Sequence, residues 1–368
     1  MILMNDFKAE PPELREAMLN AVRRVLESGW YVLGNEVASF EKQWASSCGV
    51  AHGVGVGNGM DAIEIILRTL DIGPGDEVIT TPMTAFATVL AILRAGATPV
   101  LADIEPKTAL LSIESVRRCL SSRTKAVVLV HLYGQIKAMD AWQTFCLKRG
   151  IALVEDCAQA HLATWGGKVA GGFGVAGAYS FYPTKNLGAP GDAGMLVTQS
   201  ESIAQHAGRM RNYGQSIRYQ HPELGMNSRL DEIQAAILIE RLKWLSRFTV
   251  RRRQIAAAYR AYIQNTSVLQ LDAPQETAAH VYHLYVLTCN HREALMEHLQ
   301  HHQIQTLIHY PIPVHHQEPC RNIKRDPLGL IASEKHAATC LSLPCHPQMS
   351  DTDVEQVIAA VNSFKAAV

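Results

Sequence analysis

Lys185 has the type and the setting of a residue that carries out chemistry. It lies among small residues in the segment 180–194, directly after an apolar run. Upstream, Asp156 follows the hydrophobic run 151–155. A reactive lysine and a buried aspartate are the pair that a pyridoxal phosphate (PLP) enzyme needs, because the lysine forms a Schiff base with the cofactor and the aspartate keeps its pyridine nitrogen protonated. Singly, Asp156 could be a helix N-cap and Lys185 a solvated lysine, but together they favour a cofactor site.

A glycine-rich turn lies further upstream, at residues 54–62, and contains Gly55, Gly57 and Gly59. A turn of this kind between a strand and a helix offers free backbone N–H groups and the positive end of the helix dipole to an anion. Such turns also occur only to make a tight bend, so the motif is weak by itself. Because it precedes the aspartate and the lysine in the order of a PLP fold, it predicts the phosphate site.

The elements that must position these residues alternate between short apolar runs and runs of helical period. This alternation indicates an α/β protein with a mostly parallel sheet between helices. The predicted strands are 52–57, 77–80, 98–102, 126–131, 151–155, 177–182, 194–198 and 281–288. The predicted helices are 60–71, 86–95, 112–121, 139–149, 201–212, 229–246, 250–264, 292–302 and 351–366. Because parallel strands end at the ligand crevice, Asp156 is expected in the site.

The chain is long enough for two domains, with 368 residues of which 48% are hydrophobic. The pattern of elements changes near residues 250–270. We therefore expect a large PLP-binding domain over residues 1–250 and a small C-terminal domain over 251–368. Residues 1–30 could pack on the small domain.

Composition argues against several other classes of protein. The formal net charge is zero and the pI is near 7.3, which does not suggest a nucleic-acid or membrane-surface partner. Charge and Pro11 interrupt the N-terminus too early for a signal peptide, and no apolar run approaches the roughly 20 residues of a membrane span. The eight cysteines are scattered, as in a reduced cytoplasmic protein. The C-terminal histidines lack carboxylates or cysteines at ligand spacing, so we expect no metal.

Longer stretches of the sequence resemble the DegT/DnrJ/EryC1/StrS family of nucleotide-sugar aminotransferases. The most specific blocks are SFYPTKNL at 180–187 and GMNSRLDEIQAA at 225–236. Further similar blocks are 30–37, 40–41, 75–79, 130–134, 155–160, 309–313 and 341–344. The resemblance runs nearly end to end. It implies the fold type I architecture of PLP-dependent transferases, with a mostly parallel seven-stranded sheet flanked by helices and a smaller α+β C-terminal domain.

The resemblance also implies roles for particular residues. Lys185 and Asp156 would be catalytic. The other implied cofactor contacts are Gln159 on the ring hydroxyl, Gly59, the Met60 N–H and Ser180 on the phosphate, and Asn227 on the same phosphate from a partner subunit. The implied substrate contacts are Arg218 and Tyr219 for the pyrophosphate, with His309, Tyr310 and His315 near the sugar nucleotide. Arg218 could equally be a solvated loop charge. The contact from Asn227 implies a homodimer with its active sites at the interface.

Two positions depart from the family pattern. Met60 replaces the usual threonine, so that only the backbone contact to the phosphate carries over; this form resembles the branch that aminates the 3-position of dTDP-3-keto-6-deoxyhexoses. Ala85 stands where the family commonly has an aromatic residue that stacks on the cofactor ring. Either Phe86 takes that role or another group covers the ring.

The function that the resemblance implies is transfer of an amino group from L-glutamate to a keto-deoxysugar nucleotide, for a surface polysaccharide such as an O-antigen or for a secondary metabolite. Amination at the 4-position is an alternative. A PLP-dependent sugar dehydratase is another, but that branch has histidine in place of Lys185. A regulatory protein that kept the fold is the third, and the intact set of site residues argues against it.

Overall fold

The computed structural model describes residues 1–366. Its helices are α1 (Pro12–Ser28), α2 (Asn35–Ser47), α3 (Gly59–Thr69), α4 (Phe86–Arg94), α5 (Ile113–Cys119), α6 (Met139–Leu147), α7 (Glu201–Met210), α8 (Glu232–Tyr262), α9 (Arg292–His301), α10 (Ile331–Thr339) and α11 (Asp351–Ser363). Its strands are β1 (His52–Val56), β2 (Glu77–Thr80), β3 (Thr98–Leu101), β4 (Thr124–Val130), β5 (Ala152–Asp156), β6 (Thr164–Trp165), β7 (Lys168–Val169), β8 (Ala176–Ser180), β9 (Gly194–Thr198), β10 (Val268–Gln270), β11 (Tyr285–Cys289), β12 (Lys324–Arg325) and β13 (Cys340–Leu343).

The main sheet has the strand order β1-β9-β8-β5-β4-β2-β3-β12 within the described residues. Its pairs are parallel from β8 to β12, and β9 runs antiparallel to both of its neighbours. The seven strands predicted for this sheet are confirmed, and the two-residue strand β12 adds an eighth at the edge. A two-residue strand leaves no periodic signal in the sequence. The order places β5, and Asp156 at its end, in the middle of the sheet.

Helix α8 corrects the prediction of two helices over 229–246 and 250–264. It runs unbroken from Glu232 to Tyr262 and so passes through the predicted domain boundary at residue 250. The whole stretch contains neither glycine nor proline, the two residues that most readily interrupt a helix. The division into domains at that residue stays a prediction.

Three helices, α1, α2 and α10, are missing from the sequence-based prediction, although α1 carries clear start and stop signals. Pro12 occupies its first position, and Gly29 follows it in the left-handed region at φ 65°. The predicted last helix begins with a capping box, since the side chains of Ser350 and Asp353 each accept a hydrogen bond from the other's backbone N–H group.

The N-terminal 30 residues contact two parts of the molecule. Ile2 joins the apolar cluster built by the second half of α8 with β11, β13, α9 and α11. Helix α1 instead packs on the first half of α8, where Ala21 and Val25 meet Ala236. Only the first few residues therefore lie against the C-terminal region.

All eight cysteines are buried and unpaired. Burial raises the pKa of the thiols of Cys48, Cys119 and Cys345 to about 12. Among residues 1–366, no helix is both long and apolar enough to cross a membrane.

Candidate active site

Asp156 lies at the carboxyl end of β5, with its carboxylate held from two sides. Its Oδ2 accepts a hydrogen bond from Thr88 Oγ1 at 2.8 Å, and its Oδ1 accepts one from the N–H of Ala158 at 3.1 Å. Since a carboxylate can only accept, Thr88 donates to it and receives in turn from Thr84, whose hydroxyl oxygen lies 2.8 Å away. Neither threonine was predicted as a site residue. Thr84 precedes α4 and only Thr88 lies in it, so their spacing carries no helical signal.

Lys185 lies in the tight loop between β8 and β9, where its N–H donates to the carbonyl of Tyr182 at 2.9 Å. Its side chain is half-buried, and its amine makes no hydrogen bond or ion pair with any of residues 1–366. Burial lowers the pKa of Lys185 to about 8, while the charge of Asp156 acts in the opposite direction. The amine therefore becomes a free nucleophile not far above neutral pH.

A cradle for an anion lies where the first turn of α3 meets the end of β8. A Cβ at Gly59 would lie 2.8 Å from Ser180 Cβ, so the two elements can approach this closely only with glycine. The Asn58 side chain accepts from the N–H of Asp61 at 2.8 Å and caps the helix. The N–H groups of Gly59 and Met60 have no acceptor among the described residues. These two donors suit a phosphate.

Gln159 connects this end of the sheet to the segment that carries His309 and Tyr310. Its Oε1 accepts from the N–H of Tyr133 at 2.6 Å, and its Nε2 donates to the hydroxyl of Tyr310 at 3.2 Å. Burial, together with the charge of Asp156, raises the pKa of Tyr310 to about 12. Burial and the charge of Lys185 lower the pKa of His309 to about 4, so its imidazole is neutral. Both predicted substrate residues therefore share the electrostatic environment of the lysine and the aspartate.

Two further buried histidines surround the lysine and were not predicted. His161 Nε2 lies 3.0 Å from the carbonyl of Ser180 and must donate to it. Burial lowers the pKa of His161 to about 3, so it stays neutral. His283 Nδ1 lies 3.2 Å from the side-chain oxygen of Asn186, the residue that follows Lys185. Burial lowers the pKa of His283 well below its usual value. Residues so far apart in the chain share no local pattern that would have indicated this shell.

Phe86 is not placed as a ring-stacking residue should be. It packs against Val89, Leu101 and Val314, in a cluster at the edge of the sheet. It also lies two residues before Thr88, about 200° around the helix from the side that contacts Asp156. The structure therefore does not support its predicted contact with the cofactor. Phe86 does not take over the ring-stacking role of the aromatic residue that the family commonly has in place of Ala85.

Arg218, Tyr219 and Asn227 are exposed, and His315 is buried elsewhere. The guanidinium of Arg218 lies over the ring of Tyr219, and the contacts of both residues are local to their loop. Asn227 is next to Ser228, which receives the N–H of Gly57 at 3.0 Å. His315 Nε2 lies 3.0 Å from Glu334. Within residues 1–366, none of Arg218, Tyr219 and His315 makes a hydrogen bond or ion pair with Lys185, and their contact with the substrate stays a prediction.

Two groups of side chains within residues 1–366 have metal-ligand types within reach of one another. The first is His131, Glu155 and Cys157, and the second is His315, His316 and Glu334. In the first group, the Glu155 carboxylate already has four hydrogen-bond donors, so its oxygens are satisfied without an ion. Neither group adjoins the cradle of Gly59, and we assign no metal to either.

This fold and this arrangement define a PLP-dependent transferase of fold type I. The profile of the DegT/DnrJ/EryC1/StrS aminotransferase family matches residues 12–362. The chain is 43% identical, over 99% of both chains, to the dTDP-3-amino-3,6-dideoxy-alpha-D-galactopyranose transaminase of Aneurinibacillus thermoaerophilus. It is 38% identical, over 98% of both, to a pleiotropic regulatory protein of Geobacillus stearothermophilus. The crystal structure of S. venezuelae DesV superimposes with a TM-score of 0.93 at 39% identity, covering 98% of this chain and 97% of that one.

The chain therefore belongs to the DegT/DnrJ/EryC1/StrS aminotransferase family, and it is a PLP-dependent aminotransferase. Its own residues fit the cofactor. The unpaired N–H groups beside Gly59 suit the phosphate, and the pocket is too tight there for a side chain. Asp156 has acceptor capacity left for a ring nitrogen, and among residues 1–366 the Lys185 amine has no competing partner.

Proposed function

We propose that this enzyme transfers an amino group from L-glutamate to dTDP-3-keto-6-deoxyhexose and yields a dTDP-amino-dideoxyhexose. The observation that carries the proposal is the arrangement of Lys185, Asp156 and Gln159 beside the anion cradle of α3. The choice of sugar nucleotide is supported by the transaminase of Aneurinibacillus thermoaerophilus, whose name specifies a dTDP-3-amino sugar.

When bound, PLP supplies an electron-poor ring that stabilises negative charge on the substrate carbon. The Asp156 carboxylate would hold a proton on the ring nitrogen and thereby keep the ring electron-poor. Thr88 and the N–H of Ala158 fix the orientation of that carboxylate. The Lys185 amine would hold the cofactor and, when free, would move a proton at the reacting carbon.

The remaining predicted contacts complete the proposal. Ser180 and the N–H groups of Gly59 and Met60 would bind the phosphate. Tyr310 and His309 would border the sugar, since they lie beside Gln159 and within range of the charge of Lys185.

Residues that the single chain leaves exposed fit a homodimer in which each subunit completes the other's site. Asn227 would reach the partner's phosphate, and Arg218 and Tyr219 would meet the pyrophosphate across the interface. We propose that this dimer acts in the cytoplasm.

The test is transfer of ¹⁵N from labelled L-glutamate to sugar nucleotides, followed by mass spectrometry and NMR of the product. Parallel reactions use dTDP-3-keto- and dTDP-4-keto-6-deoxyhexose, with Lys185→Ala as the control. We expect label at C3 of the first substrate and none with the variant. Label only at C4 of the second substrate would replace the proposed regiochemistry.

A regulatory protein that binds PLP without turnover is the second candidate, because one relative is described as a pleiotropic regulatory protein. It predicts that the wild-type protein binds PLP through Lys185 but transfers no label to either sugar nucleotide.

A further inference from the structure

Arg252 is a buried cation that has no carboxylate partner among residues 1–366. It lies in the second half of α8 and is 5% exposed. Its Nη1 donates to the carbonyls of Tyr282, at 3.2 Å, and Cys345. Its Nε is fully enclosed and has no acceptor, and within residues 1–366 the guanidinium makes no ion pair. Carbonyl groups thus satisfy one end of this side chain only.

The second terminal nitrogen of the guanidinium, Nη2, is the atom that a ligand can reach. It makes no hydrogen bond with residues 1–366 and is not among their fully enclosed polar atoms. Because Nε is enclosed, Nη2 is the donor available to a ligand oxygen, and a hydrogen bond from a charged nitrogen to a carboxylate is strong. A buried charge with an unused donor is unfavourable unless an anion or water occupies it. A single carboxylate oxygen at Nη2 would satisfy it.

Arg252 opens onto the same small cavity as Lys185, which has a volume of about 20 Å³. This is room for about one water molecule, whose place a carboxylate oxygen could take. The other charged groups of the cavity are already engaged. Arg241 pairs with Glu10 at 2.7 Å, and Asp6 accepts from the N–H groups of Lys8 and Ala9. Arg252 is the cation of this cavity that is left for a ligand.

We propose that Nη2 of Arg252 binds the side-chain carboxylate of the amino donor, L-glutamate. The reacting amine of the donor lies at Lys185, so a second cation in the same cavity suits the far end of a dicarboxylate. His283 is near both cations, since the charges of Lys185 and Arg252 each act on it. The assignment rests on the proposed function and adds the group that selects the donor.

The test compares L-glutamate with L-glutamine, which has nearly the same shape but no side-chain charge. The half-reaction with each donor is followed by absorbance of the cofactor in wild type, Arg252→Gln and Arg252→Lys. The control is Arg253→Gln, because Arg253 is on the same helix and donates to the carbonyls of His280 and Ala278 at 3.0 Å. It does not line the cavity.

We expect Arg252→Gln to lower kcat/KM for L-glutamate roughly a hundredfold and to leave L-glutamine nearly unchanged. The control should leave the preference intact, and the KM for the sugar nucleotide should not move in either variant. A glutamate preference that survives in Arg252→Gln overturns the assignment. So does an equal loss in the Arg253→Gln control.

A second measurement does not depend on turnover. Glutarate, a dicarboxylate without an amine, is titrated calorimetrically into the PLP-loaded enzymes, with melting temperatures as a check on folding. Wild type and Arg253→Gln should bind it, and Arg252→Lys, which keeps the charge but has no donor at the position of Nη2, should bind about tenfold more weakly. Equal binding by all variants contradicts the proposal. If glutarate binding depends on Arg252 but wild type does not react with L-glutamate, the carboxylate site stands and the proposed function fails.

Discussion

Two neighbouring carboxylates at the end of β5 show how one strand can serve both the fold and the site. Glu155 and Asp156 point to opposite faces because successive strand residues alternate. Glu155 is fully buried and receives hydrogen bonds from His131 at 2.9 Å and from three backbone N–H groups of the loop 171–174. From the described residues 1–366, Asp156 receives only two, from Thr88 and Ala158.

The difference lies in what each carboxylate has left to offer. An ionised carboxylate has about four acceptor positions. Those of Glu155 are all taken, so it can only hold the loop and the strand together. Asp156 keeps free positions and is available to a ligand. Saturation of the hydrogen bonds, rather than residue type or burial, separates the structural carboxylate from the one that we propose to be functional.

The sharpest way to break this comparison is to neutralise each carboxylate in turn. Asp156→Asn should lower kcat by roughly 10³-fold with little change in stability, because the amide cannot hold the ring nitrogen protonated. Glu155→Gln should instead destabilise the protein by about 3 kcal/mol, since its N–H₂ group would face hydrogen-bond donors. Urea unfolding and turnover of the folded fraction distinguish the two. Similar profiles for both variants would refute the division of labour.

Gly59→Ala extends the comparison from free acceptors to free donors, the N–H groups of Gly59 and Met60. The new Cβ would lie 2.8 Å from Ser180 Cβ and push α3 away from β8. We expect PLP to bind roughly a hundredfold more weakly, because the phosphate loses the aligned N–H groups. Fluorescence titration of the apoenzyme measures this. Gly208→Ala is the control, since it has open space around it.

The side chains that donate hydrogen bonds to the two carboxylates provide a test with a smaller expected effect. Thr88→Val removes one hydrogen bond to a charged group and should lower kcat about tenfold, with unchanged unfolding. His131→Phe removes the corresponding donor from Glu155 and should lower the unfolding midpoint without altering kcat in the folded enzyme. Crossed effects, with Thr88→Val unfolding early or His131→Phe losing turnover, would contradict the comparison.

The pH dependence of covalent PLP attachment tests whether the pKa of the Lys185 amine is lowered. Burial lowers the pKa of Lys185 to about 8 from 10.5, and only the neutral amine reacts. The rate of covalent PLP attachment to the apoenzyme should therefore rise about tenfold per pH unit below 8 and level off above it. Between pH 8 and 10.5 the unfolded chain retains the proton that the folded one has lost, so Lys185 makes the fold more stable as pH rises. A plateau that begins only near 10.5 would disprove the lowered pKa.

The sequence was informative wherever a feature is local. The sheet followed from apolar runs, and Asp156 and Lys185 followed from their positions at the ends of strands. Thr88 was not found because its bond to Asp156 joins residues 68 positions apart. The packing of Phe86 could not be predicted because its neighbours depend on how α4 packs at the sheet edge. The uninterrupted α8 was divided although nothing in its composition would break it.

The buried thiols have a practical consequence for measuring motion in this enzyme. Maleimide and similar reagents react with thiolates. Because the pKa values of these cysteines are raised, almost none of their thiols is ionised at neutral pH. A single cysteine introduced on the surface, for example at the exposed Leu147 or Leu269, should therefore be the one position that takes up a label. Fluorescent and spin labels could be attached without first removing any native cysteine.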